Sequence, residues 1–491
     1  MYLFNIAEQY GDHIALEVGD EKLTFDQLLK KSHALASSLL ENKPSLIGER
    51  VISIIKPSFD YVILQWAVWR VGGIFVPLPE KLTNSDLSFY FNDIDPSLII
   101  IDKKLKSVIS PLAKDYDLKI VEELEINSNN ELPKINRESP CMFLYTSGTT
   151  GKPKGVILSH ANLEAQIVSL QKAWEWSKKD KILLTLPLYH VHGIVNVLMC
   201  SLASGATCVI HSKFDSESIW NEISKSEITL FMAVPTIYAK LIEWYDDLPA
   251  TNKKKYSKGI SNLRLTVSGS AALSISLFDK WFKISNIKML ERYGMTETGM
   301  ILSNPIKGLR KKGSVGKPLP GVSVLQVDEQ LVKSKPGDSG EILVKGDSVF
   351  KGYWKRKKET KESFYKGWFR TGDLAVVEDR YFRLLGRISQ DIIKTAGHKI
   401  SSLEIEEKLR EHDQIKDAAV VSIPDETWGE LVCAAIIRLS NNLTEEKLHI
   451  WIKDYFISYK RPRKILFLDD FPRNNLGKVI KEDLKVFFIK N

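Results

Sequence analysis

A bound polyphosphate needs converging N–H and O–H donors with positive charge beside them. The segment Tyr145-Thr-Ser-Gly-Thr-Thr-Gly-Lys-Pro-Lys-Gly155 has all three. Its glycines let the backbone turn N–H groups toward one point and form an anion-binding concavity. Thr146, Ser147, Thr149 and Thr150 add hydroxyl donors, and Lys152 and Lys154 add charge. The apolar run Cys141-Met-Phe-Leu-Tyr145 just before it reads as a buried strand. The common GxxxxGK[ST] phosphate loop does not fit, because Gly148 and Gly151 are too close and Pro153 follows Lys152. That proline also argues against a helix starting there and leaves a loop expected to be mobile.

The elements that must hold such a loop follow from the surrounding periodicity. Val51-Ile-Ser-Ile-Ile55 is strand-like, residues 59–70 have helical spacing, and Gly72-Gly73 leads into the strand-like Ile74-Phe-Val-Pro77. Leu98-Ile-Ile-Ile101 repeats the pattern after another helix. This alternation predicts an α/β fold of parallel βαβ sheets. Residues 321–327 and 340–344 are short and turn-bounded, which predicts an antiparallel, barrel-like piece. A strand over 381–385, a polar stretch over 387–391 and a fresh α+β pattern from Ile400 place a boundary. Ser401 and Ser402 with Glu404 form a helix-capping signal there. The expected organisation is a large domain over 1–386, a joining stretch over 387–391 and a small α+β domain over 392–491.

Composition narrows the function classes. At 491 residues the chain is too long for one core, and 44% apolar with 26% charged residues is ordinary for a globular protein. The balance 69 − 61 gives a net charge of +8, spread as lysines with no accompanying aromatic pattern, so nucleic-acid binding is not expected. A mild positive field favours anionic small substrates. No apolar run approaches the ~20 residues of a membrane span. The N-terminal residues have neither signal-peptide nor transit-peptide character, so a cytoplasmic setting is expected. Cys141, Cys200, Cys208 and Cys433 form no C-x-x-C pair and read as buried thiols.

The loop resembles the signature of the acyl-adenylate-forming enzymes, and four further segments follow in that family's order. They are Tyr293-Gly-Met-Thr-Glu-Thr298, Thr371-Gly-Asp373, Gly386-Arg387 with Asp391 and Gly397 downstream, and Pro472-Arg-Asn-Asn-Leu-Gly-Lys478. The resemblance covers nearly the whole chain. It implies transfer of AMP from ATP to a carboxylate, release of pyrophosphate, then attack by the thiol of coenzyme A, with Mg²⁺ at the phosphates. It places Thr146, Ser147, Gly148, Thr149, Thr150, Gly151 and Lys154 at the β- and γ-phosphates. Gly269, Ser270 and Ala271 would let adenine lie against the backbone. Tyr293, Gly294 and Met295 would pack on the nucleotide, Thr296 would bind the α-phosphate, and Glu297 would be the Mg²⁺-side carboxylate. Asp373 would accept from the ribose hydroxyls and Arg387 would hold ribose or phosphate from the other side. Lys478 would bridge carboxylate and α-phosphate in the adenylating orientation only. Gly397 and Lys399 would lie on the coenzyme A side after domain rotation.

Within that family the chain is most similar to malonyl-CoA synthetases, through residues 190–193, 231–238, 267–273, 291–297, 391–397 and 424–429. The resemblance puts Arg292 at the distal carboxylate of malonate or methylmalonate and His190 beside the reacting one. A guanidinium can pair bidentately where a fatty acid offers only methylenes. A short or medium monocarboxylic acid is the alternative substrate, and His192 reads equally as a structural histidine. The family's hinge normally has one residue between the arginine and the pivot. Here Arg387-Ile-Ser-Gln-Asp391 is longer, so Ser389, Gln390 and Asp391 all qualify. A role in fatty acid metabolism follows from the resemblance, while monomer and homodimer stay open.

Overall fold

Runs such as Leu98–Ile101 and Lys181–Leu184 are too short and too apolar to have a solvent face, and each becomes a strand buried on both sides. The computed structural model describes residues 2–41, 43–116, 118–121, 131–146, 153–473 and 479–490. Among these the strands form four sheets. In the first, Ile14–Val18, Thr207–Ile210, Lys181–Leu184, Leu230–Ala233, Leu265–Ser268 and Leu290–Met295 are parallel neighbours. Antiparallel strands Gly299–Ser303 and Lys317–Pro318 close one edge, and Glu21–Thr24 closes the other.

The second sheet sets Pro140–Thr146, Ile74–Pro77, Arg50–Ile54, Leu98–Ile101 and Ile120–Val121 parallel. Lys154–Ser159 returns antiparallel beside Pro140–Thr146, and Gly352–Tyr353 pairs with it outside. The helix expected over 59–70 is Phe59–Arg70, capped by Ser58, which accepts from Tyr61 N at 3.3 Å. Every residue from Tyr61 to Trp69 is buried, because the helix lies in the core shared by the two sheets. After Pro153 the chain continues as a strand, in keeping with the absence of a helix there.

The barrel-like piece is antiparallel throughout, built on Ser339–Gly346 and Trp368–Glu378. Its last strand runs to Arg387, two residues beyond the apolar run 381–385. Asp373 and Arg387 are direct cross-strand partners, and their opposite charges hold the polar end in register. The described residues after 391 form a five-stranded mixed sheet, antiparallel except for Lys464–Phe467, which runs parallel to Gly429–Arg438, with helices Ser402–Leu409, Glu445–Tyr455 and Lys481–Lys490 and cores of their own. Ser401 caps the first of these helices, accepting from Glu404 N at 3.2 Å. All four cysteines are buried. Among the described residues no helix is long and apolar enough to cross a membrane.

The expected hinge stretch is held by charge. Asp391 accepts from Arg387 N at 2.9 Å through Oδ2 and meets Lys481 Nζ at 2.7 Å through Oδ1. Lys481 also reaches Glu406 Oε1 at 2.8 Å and Ser402 Oγ at 2.6 Å. Burial lowers the lysine's affinity for its proton, but Glu406 and Asp391 outweigh this and raise its pKa. Removing one member of a buried ion pair leaves the others uncompensated. Lys481→Met is therefore expected to destabilise the fold by about 3–5 kcal/mol. Urea unfolding of the two proteins measures this, and a loss well under 1 kcal/mol would show that the ion cluster is not holding the junction.

Candidate active site

Side chains at the carboxyl ends of parallel strands face outward from the sheet edge, where open α/β sheets bind ligands. Here the strands ending at Leu184, Ala233, Ser268 and Met295 deliver Pro187, Val234, Gly269 to Ser274, and Arg292 to Met295 to one cleft of about 1640 Å³. Asp373, Arg387 and Asp391 line it from the later part of the chain.

Arg292 is 3% exposed, and burial pushes its pKa down to about 9. No carboxylate pairs with it among the described residues; its Nη2 donates to Ser270 Oγ at 3.3 Å. Ser270 Oγ lies 3.3 Å from His192 Nδ1. The hydroxyl accepts from the arginine and shares one further hydrogen bond with the imidazole. Burial, with Arg292 adding to it, holds the His192 pKa well below the usual range, which keeps the ring neutral. Among the described residues Arg292 Nε and His192 Nε2 have no hydrogen-bond partner. Two backbone devices make room. A Cβ on Gly269 would stand 2.6 Å from the guanidinium carbon, and Ser270 itself takes φ 70°. His192 opens a π-helix, His192–Met199, whose Gly193 has no space for a side chain: its Cβ would meet Pro187 O at 2.3 Å.

A second group surrounds Asp373. Arg387 donates to both its oxygens, at 2.9 and 3.1 Å, and the buried Tyr293 hydroxyl donates to Oδ2. Burial and then Asp373 push the Tyr293 pKa well up, so the phenol keeps its proton. Tyr293, Gly294 and Met295 end one strand of an antiparallel hairpin, and Thr296 and Glu297 lie in its turn. Glu297 is buried and accepts from Tyr353 Oη at 2.8 Å; burial raises its pKa, opposed by that hydrogen bond. Lys154 stands opposite Thr146 in the loop hairpin and pairs with Glu359 at 2.5 Å.

The structure thus gathers Arg292, Ser270, Gly269, Ala271, Tyr293, Gly294, Met295, Asp373 and Arg387 around one cleft. Ser147, Gly148, Thr149, Thr150, Gly151 and Lys478 lie outside the described residues. His190 is off the cleft lining, packed on Tyr189 with ring centroids 4.5 Å apart; burial lowers its pKa to about 4. Gly397 (φ 77°) follows Ala396 (φ 48°) in the tight turn joining Ile392–Thr395 to His398–Ser401, so this glycine has a conformational reason of its own. Lys399 is exposed and pairs with Glu329. Ser389 and Gln390 occupy the turn before Asp391. Tyr353, Glu359, Glu291 and the His192–Ser270 contact were not legible in the sequence. Among the described residues no group of three or more His, Cys, Asp or Glu could hold a metal; a carboxylate such as Glu297 would suit Mg²⁺ only together with phosphate and water ligands.

Residues 3–354 match the family model described as AMP-binding enzyme, and residues 404–478 match the AMP-binding enzyme C-terminal domain. The chain is 38% identical to the mitochondrial malonate–CoA ligase ACSF3 of Mus musculus, over 98% of this chain and 90% of that one. It is 34% identical to the malonate–CoA ligase of Arabidopsis thaliana, over 98% and 87%. Among solved structures, ATP-bound MatB from Rhodopseudomonas palustris aligns with TM-score 0.92 at 30% identity, covering 99% of this chain and 98% of that one.

Glu291 gives the site a pH dependence. Burial is the main cause of a pKa raised to about 8; Gly313 N donates to Oε1 at 3.2 Å and opposes the shift, while Glu407 adds to it. The folded value lies above the unfolded one, so the native state holds a proton that the unfolded chain gives up. Stability from this group is full below pH 4.5 and lost as pH rises toward 8. Glu291→Gln removes that slope. Denaturant unfolding at pH 5 and pH 8.5 should find the variant relatively more stable at the higher pH, by roughly 2–4 kcal/mol. An identical pH dependence in both proteins would place the carboxyl in contact with solvent.

Proposed function

Because the chain belongs to the AMP-binding enzyme family, we propose that it is an acid–CoA ligase converting malonate or methylmalonate, ATP and coenzyme A to the acyl-CoA, AMP and pyrophosphate. One observation carries the substrate choice: Arg292 is a buried guanidinium with no carboxylate partner among the described residues, set beside Ser270 and a neutral His192. A dicarboxylate supplies the missing charge at that point and leaves its other carboxylate free to react. Neutral His192 puts no second positive charge beside the guanidinium. The malonate–CoA ligases named above support the same reading.

In the first half-reaction a carboxylate oxygen attacks the α-phosphorus of ATP and pyrophosphate leaves. The 146–154 loop cradles the leaving phosphates, Thr296 binds the α-phosphate, and Lys478 bridges it to the substrate carboxylate. Mg²⁺ held by Glu297 would neutralise phosphate charge when bound. Asp373 accepts from the ribose hydroxyls, with Arg387 and Tyr293 fixing its orientation. In the second half-reaction the thiol of coenzyme A attacks the acyl-adenylate and AMP leaves. Residues 1–386 and 392–491 are the two domains of this reading, and 387–391 is the hinge between them. A cytoplasmic setting and a place in fatty acid metabolism belong to the same proposal.

A pyrophosphate-release screen over short mono- and dicarboxylates, with and without coenzyme A, tests the activity. Malonate or methylmalonate should give the highest rate; a better rate with butyrate would select the monocarboxylate alternative. Arg292→Ala should lower kcat/KM for malonate by about 30- to 1,000-fold, the loss of a charge-assisted pair worth on the order of 2–4 kcal/mol. Butyrate turnover should fall far less. Equal losses for both acids would give Arg292 a structural role.

Lys478→Ala separates the half-reactions. Adenylate formation, read by pyrophosphate exchange, should nearly vanish, while thioester formation from supplied malonyl-AMP persists. Loss of both together would mean that Lys478 does not act in adenylation alone.

A further inference from the structure

Lys154 is proposed above to meet the nucleotide's polyphosphate, and its present partner adds a step to that reading. Its Nζ lies 2.5 Å from Glu359 Oε2 and over the Tyr353 ring at 5.6 Å from the centroid. Glu359 sits between two cations, because Arg356 Nε stands 3.7 Å from its other oxygen. Those cations are anchored very differently. Arg356 Nη2 pairs with Asp93 Oδ1 at 2.9 Å, and Asp93 Oδ2 accepts from Tyr145 Oη at 2.7 Å. Trp354 Nε1 donates to the Asp93 carbonyl at 2.8 Å, so the arginine is tied into the base of the loop hairpin. Lys154 has a flexible four-carbon stem and can reach elsewhere.

We propose that Glu359 is a displaceable counter-ion: it holds Lys154 until a polyphosphate takes the lysine over, then falls back on Arg356. The 38% exposure of the Glu359 side chain lets water cover it during the exchange. When pyrophosphate is the product, the same carboxylate competes for Lys154 and favours its departure. The counter-ion therefore weakens polyphosphate binding and leaves ligands without β- and γ-phosphates alone.

The test is calorimetric titration of α,β-methylene-ATP and of AMP into wild type, Glu359→Gln, Lys154→Met and the double variant. Glu359→Gln should bind α,β-methylene-ATP about 3- to 10-fold tighter and change AMP by less than about twofold. In the Lys154→Met background the Glu359 substitution should have no effect. Unchanged or weaker α,β-methylene-ATP binding by Glu359→Gln overturns the proposal, as does an equal shift for AMP. A wild type that binds neither ligand overturns the nucleotide reading and this proposal with it. A wild type that binds both, with no effect of the substitution, overturns this proposal alone.

Discussion

A guanidinium removed from water, with no carboxylate paired to it among the described residues, is the constraint on which the cleft is built. Burying a charge is costly unless something in the surroundings compensates, and the structure around Arg292 is arranged to that end. Gly269 has no side chain where the guanidinium lies, and Ser270 takes a left-handed backbone conformation while its hydroxyl accepts from Nη2. His192 stays neutral, since a second positive charge at that distance would add repulsion to burial. The π-helix and the close approach of Gly193 to Pro187 O carry the imidazole to the serine. A buried guanidinium in these surroundings suits the second carboxylate of the proposed substrate.

Two other regions handle charge by pairing. Asp93, Arg356, Glu359 and Lys154 form an alternating row beside the loop hairpin. Arg387, Asp373, Asp391, Lys481 and Glu406 form another at the junction, where Lys481 links the C-terminal helix to the expected hinge. The difference in burial matters. Lys481 is almost wholly enclosed and its pairs act as structure, whereas Glu359 is exposed enough for a pair to exchange. The same residue types therefore give a fixed joint in one place and a switchable contact in the other.

Wherever the information was local, it was legible in the chain itself. Period and length identified Phe59–Arg70, Leu98–Ile101 and the strand into the loop, because 3.6- and 2-residue repeats follow directly from backbone geometry. Ser401 and Glu404 announced a helix start for the same reason. The order of the motifs named the family and brought Arg292, Tyr293, Asp373 and Arg387 into view. Tertiary structure alone decided which groups meet across the fold. Tyr353 reaches Glu297 across 56 positions and His192 reaches Ser270 across 78, and nothing in either neighbourhood marks the partner. It also gave the two histidines either side of Val191 different neighbours: neither lines the cleft, but His190 packs on Tyr189 while His192 meets Ser270 beside Arg292. Periodicity sees one element at a time. Burial, a neutral tautomer and an unpaired charge exist only once several elements pack together.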